Sequence, residues 1–119
     1  MIKDKKIGII GCGNMGEALL GGLSRILTKS TAIMVSEFDA ARRAYIQGKY
    51  KIIVEIDNNA VVKYCDVIIL AVKPKDFESV LKAEVCCGLS KNKLLISIAA
   101  GISTKYIEKA VGKDIPVIR

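Results

Sequence analysis

Gly11, Gly13 and Gly16 stand in a G-x-G-x-x-G spacing, between the apolar run Ile7-Gly8-Ile9-Ile10 and an amphipathic stretch. Each glycine answers a different physical need. Gly11 permits a tight turn out of a strand. Gly13 has no side chain to keep the backbone away from phosphate oxygens. Gly16 lets the following helix pack closely. The N-terminus of that helix adds unpaired N–H groups and the positive end of its dipole. Such a turn suits a dinucleotide pyrophosphate. The plain alternative is a strand-to-helix turn whose glycines serve packing alone.

Three further groups could complete a nucleotide site. Glu37 falls about twenty positions beyond the triplet, where a carboxylate can hold ribose hydroxyls and favour NAD. Ser36 precedes it and Arg42-Arg43 follow, and a hydroxyl with a guanidinium would suit the 2′-phosphate of NADP. The arginines read equally as a solvated helix face, so these residues leave the cofactor choice open. Leu70-Ala71-Val72-Lys73-Pro74 ends a buried strand. Ala71 is small enough to leave room for a nucleotide. Lys73 can donate to a phosphate or ribose or serve as a surface side chain, and Pro74 turns the chain out of the ladder. In Ser97–Ser103, small side chains allow a flat ring against the backbone, or simply a tight turn.

Positioning these residues requires alternating strands and helices, the signature of a parallel sheet with crossover helices. Strands are expected at about Lys6–Ile10, Ala32–Ser36, Lys51–Glu55, Asp66–Val72 and Leu94–Ile98. The first helix should bury Met15, Leu19, Gly22, Leu23 and Ile26, with Gly21-Gly22 allowing close approach to the sheet. A second helix should run about Ala40–Gln47, capped by Asp39 and ended by Gly48. Short helices are expected from Asp57-Asn58-Asn59 to Tyr64 and over Lys75–Val85, and one over Thr104–Val111 capped by Ser103. Ile115–Arg119 starts like a sixth strand and stops. The expected fold class is α/β, a Rossmann-type doubly wound parallel sheet with helices on both faces. It forms one domain over 1–119, cut off within its sixth strand.

The 119-residue chain is long enough for one core, and its 51% hydrophobic share fits a globular protein. No apolar run is long enough to span a bilayer, and no apolar leader core precedes the first strand, so a cytoplasmic location is expected. Net charge is +7, but the lysines are scattered and aromatics are few, so nucleic-acid binding is not indicated. The four cysteines form no C-x-x-C pair and the chain has no histidine, which argues against a metal site or a disulfide framework. Among the cysteines, Cys12 is distinguished by its place in the glycine turn. At a helix N-terminus its thiol pKa should fall, and bound cofactor should shield it.

Together these runs resemble the pyrroline-5-carboxylate reductases, which form L-proline. The likeness rests on Ile7–Leu19 with its Gly13-Asn14-Met15 triplet, on Asp66–Pro74 with its Ala71-Val72-Lys73-Pro74 run, and on Ser97–Ile102. It extends over essentially the whole chain. The resemblance implies that Gly11, Cys12, Gly13, Asn14, Met15 and Gly16 hold the pyrophosphate. It implies that Ser36 faces the 2′-phosphate end and that Asn58 contacts the nucleotide. Ala71, Val72, Lys73 and Pro74 would line the ribose and nicotinamide side, and Ala99, Ala100 and Gly101 would complete the pocket. The implied cofactor is NADP(H), and Glu37 keeps NAD(H) open.

The implied reaction is NAD(P)H-dependent reduction of 1-pyrroline-5-carboxylate to L-proline, an oxidoreductase activity on a CH–NH group. No acid–base residue stands out, so no catalytic residue is assigned. The family continues into an all-helical dimerisation domain that helps build the substrate pocket and makes the full-length enzyme an oligomer. The chain is therefore expected to be the cofactor-binding part, inactive by itself. The alternatives are a stand-alone nucleotide-sensing module, or another dehydrogenase of hydroxy-acid or prephenate type.

Overall fold

The computed structural model describes residues 5–26, 32–81, 92–98, 103–111 and 115–118. Its strands are β1 (Ile7–Ile10), β2 (Ile33–Ser36), β3 (Val54–Glu55), β4 (Val67–Leu70), β5 (Leu94–Ser97) and β6 (Val117–Ile118). The helices are α1 (Asn14–Ile26), α2 (Ala40–Tyr50), α3 (Asn58–Tyr64), α4 (Pro74–Val80) and α5 (Thr104–Val111). All strand pairings are parallel, in the order β3-β2-β1-β4-β5-β6. The expected doubly wound sheet is therefore present, and its sixth strand pairs with β5 through Leu95–Val117 and Ile96–Ile118.

β1 and β4 lie at the centre, covered on both faces, which is why they read as unbroken apolar runs rather than alternating ones. Alternation instead divides them between two cores. Ile7, Ile9 and Ile69 pack with Leu20, Val35 and Ile46 on the α1/α2 face. Ile10, Ile68 and Leu70 pack with Val61, Phe77, Leu95 and Ile107 on the other. Gly8 faces that second core. A methyl group there would lie 2.3 Å from Val61 Cγ1 and 2.8 Å from Cys65 Sγ, so α3 can sit against β1 only where β1 has no side chain.

Several local expectations need correction. The buried line of α1 is Gly16 and Leu20, flanked by half-buried Leu19 and Leu23. Met15 and Ile26 are 63% and 64% exposed, and Gly22 faces outward. Contact at Gly16 sets the rotation of the helix, and the 3.6-residue period then carries positions 15, 22 and 26 off the sheet. The Gly21-Gly22 pair does not approach the sheet either. Gly21 faces Tyr50 of α2 at ordinary distance, and Gly22 has no neighbour within 4 Å.

α2 runs through Gly48 to Tyr50. Its left-handed C-cap falls on Lys51 (φ 57°), whose N–H donates to the Gln47 carbonyl at 3.0 Å. The Gln47 side chain accepts from Val54 N–H at 3.1 Å, tying the helix end to β3. These bonds end the helix at Tyr50, two residues beyond the glycine. The caps on Asp39 and Ser103 form as expected, each side chain accepting from a first-turn N–H, and Asp57 caps α3 in the same way. Pro74 opens α4 rather than preceding it, since the first helical position needs no N–H donor.

Candidate dinucleotide-binding site

The crossovers leaving β1 and β4 run to opposite sides, so a crevice opens between the carboxyl ends of these two strands. Backbone bonds carry the sheet past its formal ends. Gly11 N–H donates to the Ser36 carbonyl at 3.0 Å and Ala71 N–H to the Ile10 carbonyl at 2.9 Å. The crevice is a cleft of about 220 Å³. Gly11, Gly13, Ser36, Glu37, Asn58 and Ala71–Lys73 contribute to its wall.

The turn has the properties its glycines predict. Gly11 sits at φ +90°, and a Cβ there would lie 2.9 Å from Val72 Cγ1. A Cβ on Gly16 would lie 2.3 Å from the Gly11 carbonyl oxygen, so helix and turn touch backbone to backbone. Around Gly13 there is open space, with no atom within 4 Å of a Cβ position. The N–H groups of Gly13, Asn14 and Met15 have no acceptor among the described residues, and they open the positive end of the thirteen-residue helix α1.

Strand alternation separates the two neighbours at the end of β2. Ser36 faces α3, where its fully buried hydroxyl donates to Asn58 Oδ1 at 2.6 Å. Glu37 turns to the opposite side, under the glycine turn. Its Oε1 accepts from Cys12 N–H at 2.8 Å and its Oε2 from Asp39 N–H at 3.1 Å. Glu37 is thus a strut between two loops, with each oxygen already engaged by main chain.

The arginines also turn inward. Arg42 Nε donates to the Cys12 carbonyl at 2.7 Å, and its Nη2 to Glu17 Oε1 at 2.6 Å. Arg43 Nη1 donates to the carbonyls of Glu37 (3.0 Å) and Phe38 (2.7 Å). Glu17, in the first turn of α1, would place a negative charge near any phosphate. Instead it bonds Lys49, Tyr50, Arg42 and Tyr45 across the α1–α2 groove. The Lys49 ammonium, with the Tyr50 and Arg42 donors, holds its carboxyl at about 2, well below the usual range. The opposing positive charges leave the mouth of the turn suited to an anion.

Cys12 departs from expectation. Its side chain is fully buried in the α1/α2 core rather than at the helix mouth. Burial pushes its thiol up to about 11, and the nearby Arg42 charge offsets this only in part. In the cradle Cys12 contributes main chain, while its thiol is a core group. Met15 projects outward, and Lys73 is exposed at the N-cap of α4. Ala99, Ala100 and Gly101 lie outside the described residues.

Phe38, Lys75, Asp76 and Val80 also line the cleft, and none of them is among the residues expected there from the sequence. A signal existed for Phe38, an aromatic in a polar turn, and it is 84% exposed. The α4 residues gave none, because their role depends on where the crossover passes.

Residues 6–101 match the family described as NADP oxidoreductase, coenzyme F420-dependent. The chain belongs to this family. Individual proteins are similar to it over nearly its whole length. A pyrroline-5-carboxylate reductase of Pseudomonas aeruginosa is 37% identical over 114 residues, covering 96% of this chain and 41% of the relative. The solved structure of a pyrroline-5-carboxylate reductase from Coxiella burnetii superposes with a TM-score of 0.88 at 30% identity, covering 95% of this chain and 42% of that one. A pyrroline carboxylate reductase of Plasmodium falciparum, solved with NADP bound, superposes with a TM-score of 0.81 at 28% identity. It is matched over 97% of this chain and 41% of its own. The chain thus spans about two fifths of the length of these relatives. Among the described residues, no helix is long and apolar enough to cross a membrane.

Proposed function

We propose that this chain is the cofactor-binding part of an NAD(P)H-dependent pyrroline-5-carboxylate reductase. The observation that carries the proposal is the glycine turn, which lines a cleft at the sheet's switch point and starts α1 with N–H groups that have no acceptor among the described residues. The residues fit the cofactor. Gly13 leaves space where a phosphate must approach, and Gly13, Asn14 and Met15 offer donors at a helix N-terminus. Ala71, Val72 and Lys73 line the β4 side of the cleft, where the ribose and nicotinamide would lie. The likeness to pyrroline-5-carboxylate reductases, one of them solved with NADP, supports the choice of reaction and cofactor.

The reaction adds a hydride to the C=N carbon and a proton to the ring nitrogen, giving L-proline. Bound reduced nicotinamide supplies the hydride. This chain's part is to hold the pyrophosphate, orient the dinucleotide and leave its reactive end open to the remainder of the enzyme. In this reading the substrate pocket, the proton donor and the contacts of a homo-oligomer belong to the three fifths of such an enzyme outside this chain. A cytosolic setting, reducing enough for buried thiols such as Cys12 and Cys65, goes with it.

Titration with NADPH and NADH tests the cofactor half of the proposal, and a protein that binds neither would refute it. L-proline formation from 1-pyrroline-5-carboxylate by the complete enzyme tests the reaction. For cofactor choice, this reading puts the Ser36–Asn58 pair, on the likeness to NADP-binding reductases, toward the 2′-phosphate end. Ser36→Ala should weaken NADPH more than NADH, and equal losses would remove Ser36 from that role.

A further inference from the structure

We infer that Arg42 is a positioning residue for the glycine turn, fixing the peptide plane that aims the Gly13 N–H at a dinucleotide pyrophosphate. The inference rests on the dinucleotide reading above and deepens it. The Cys12 carbonyl and the Gly13 N–H belong to one planar peptide unit and point in opposite directions. Arg42 Nε holds that carbonyl at 2.7 Å from the α2 side. The N–H at the other end of the unit therefore points away from α2, and it has no acceptor among the described residues. The preceding peptide is clamped as well, since Glu37 Oε1 takes its Cys12 N–H at 2.8 Å.

A clamp is needed at this point because of Gly13. Glycine tolerates nearly all backbone angles, so the Cys12–Gly13 peptide is a plane that could rotate at little cost. Flipped, it would present a carbonyl oxygen to the phosphate instead of a donor. Arg42 opposes the flip and is itself held rigidly. Its Nη2 pairs with Glu17, its main-chain N–H caps onto Asp39, and Glu17 is pinned by Lys49 and Tyr50. Arg42 thus reaches the ligand through the peptide plane. The guanidinium that the sequence offers to a 2′-phosphate is committed to the turn.

The test is to titrate the wild-type protein, Arg42→Met and Arg42→Lys with NADPH, NADH and adenosine 2′-phosphate, which lacks a pyrophosphate. If the binding-competent turn falls to about a tenth of the population, both dinucleotides lose about ten-fold in affinity. Adenosine 2′-phosphate should be unchanged. Lysine should not rescue, because one ammonium cannot reproduce the planar fork that spans the Cys12 carbonyl and Glu17. Selective loss of NADPH and adenosine 2′-phosphate would overturn the inference and make Arg42 a direct phosphate contact. Unchanged dinucleotide affinity in both variants would overturn it too. If Arg42→Met does not fold, Arg42→Lys, which keeps the charge and most of the stem, decides by the same comparison. Wild-type protein that binds no dinucleotide would instead remove the reading on which the inference rests.

Discussion

Alanine at Gly16 and alanine at Gly22 should move stability in opposite directions, although both positions lie in α1 and both exchanges add one methyl group. At Gly16 the new Cβ would fall 2.3 Å from the Gly11 carbonyl oxygen, about 1 Å inside the 3.4 Å at which ordinary contact begins. That oxygen is main chain and cannot rotate aside. Either α1 or the turn must therefore move by about that distance. Overpacking of this kind costs ~1–3 kcal/mol, offset by a helix-propensity gain of ~1 kcal/mol for replacing glycine. The upper part of that range leaves a net loss of ~1–2 kcal/mol. At Gly22 nothing lies within 4 Å, so only the propensity gain remains and the protein should be more stable by ~1 kcal/mol. At ~4 °C per kcal/mol, the two variants should melt about 8 °C or more apart, with wild type between them. Thermal unfolding followed by far-ultraviolet circular dichroism reads the difference. The same displacement carries the donors of Gly13, Asn14 and Met15 away from the cleft. NADPH affinity should fall about ten-fold in Gly16→Ala, the equivalent of one charge-assisted hydrogen bond, and hold in Gly22→Ala. Equal melting temperatures for the two variants, or a Gly16→Ala protein as stable as wild type, would refute the backbone-to-backbone contact at Gly16.

Gly8→Ala should destabilise by ~1–3 kcal/mol, because its methyl group would overlap Val61 Cγ1 and Cys65 Sγ. Adding Val61→Ala should recover part of that loss in urea denaturation, whereas additive losses would contradict the clash. Glu17 has its folded pKa depressed from 4.5 to about 2, chiefly by its bond to Lys49, so its contribution to stability is present above about 4.5. That contribution should fade as pH drops from 4.5 towards 2, and Glu17→Gln should show a flatter acid limb of stability against pH; superimposable limbs would be inconsistent with the Glu17 cluster. Cys12, buried and pushed up to about 11, should resist alkylation in the native protein with or without cofactor and react on unfolding. Peptide mass spectrometry after iodoacetamide treatment checks this, and rapid native labelling that cofactor blocks would restore the exposed-thiol reading.

What the sequence determined by itself is what depends on neighbours along the chain. The glycine spacing, the caps at Asp39 and Ser103, and the alternation of apolar runs with helical periods are short-range signals. They are enough for the doubly wound sheet and for a tight glycine turn between β1 and α1. The end of α2 differs because glycine is only the commonest C-cap, and here the tie between Gln47 and Val54 goes with a helix that runs to Tyr50 and is capped by Lys51. The rotation of α1 was ambiguous for a similar reason. Its apolar residues cover more than one face, and the Gly16–Gly11 contact chooses between them. Tertiary structure alone decided what Glu37, Arg42 and Cys12 do. Adjacent residues of a strand face opposite sides, so Ser36 meets Asn58 while Glu37 meets the turn. Arg42 lies thirty positions from Cys12, and only the packing of α2 beside α1 brings its guanidinium to the Cys12 carbonyl. Residue type shows that a group can bind a phosphate. Whether it is free to do so depends on which buried main-chain donor or acceptor has already claimed it.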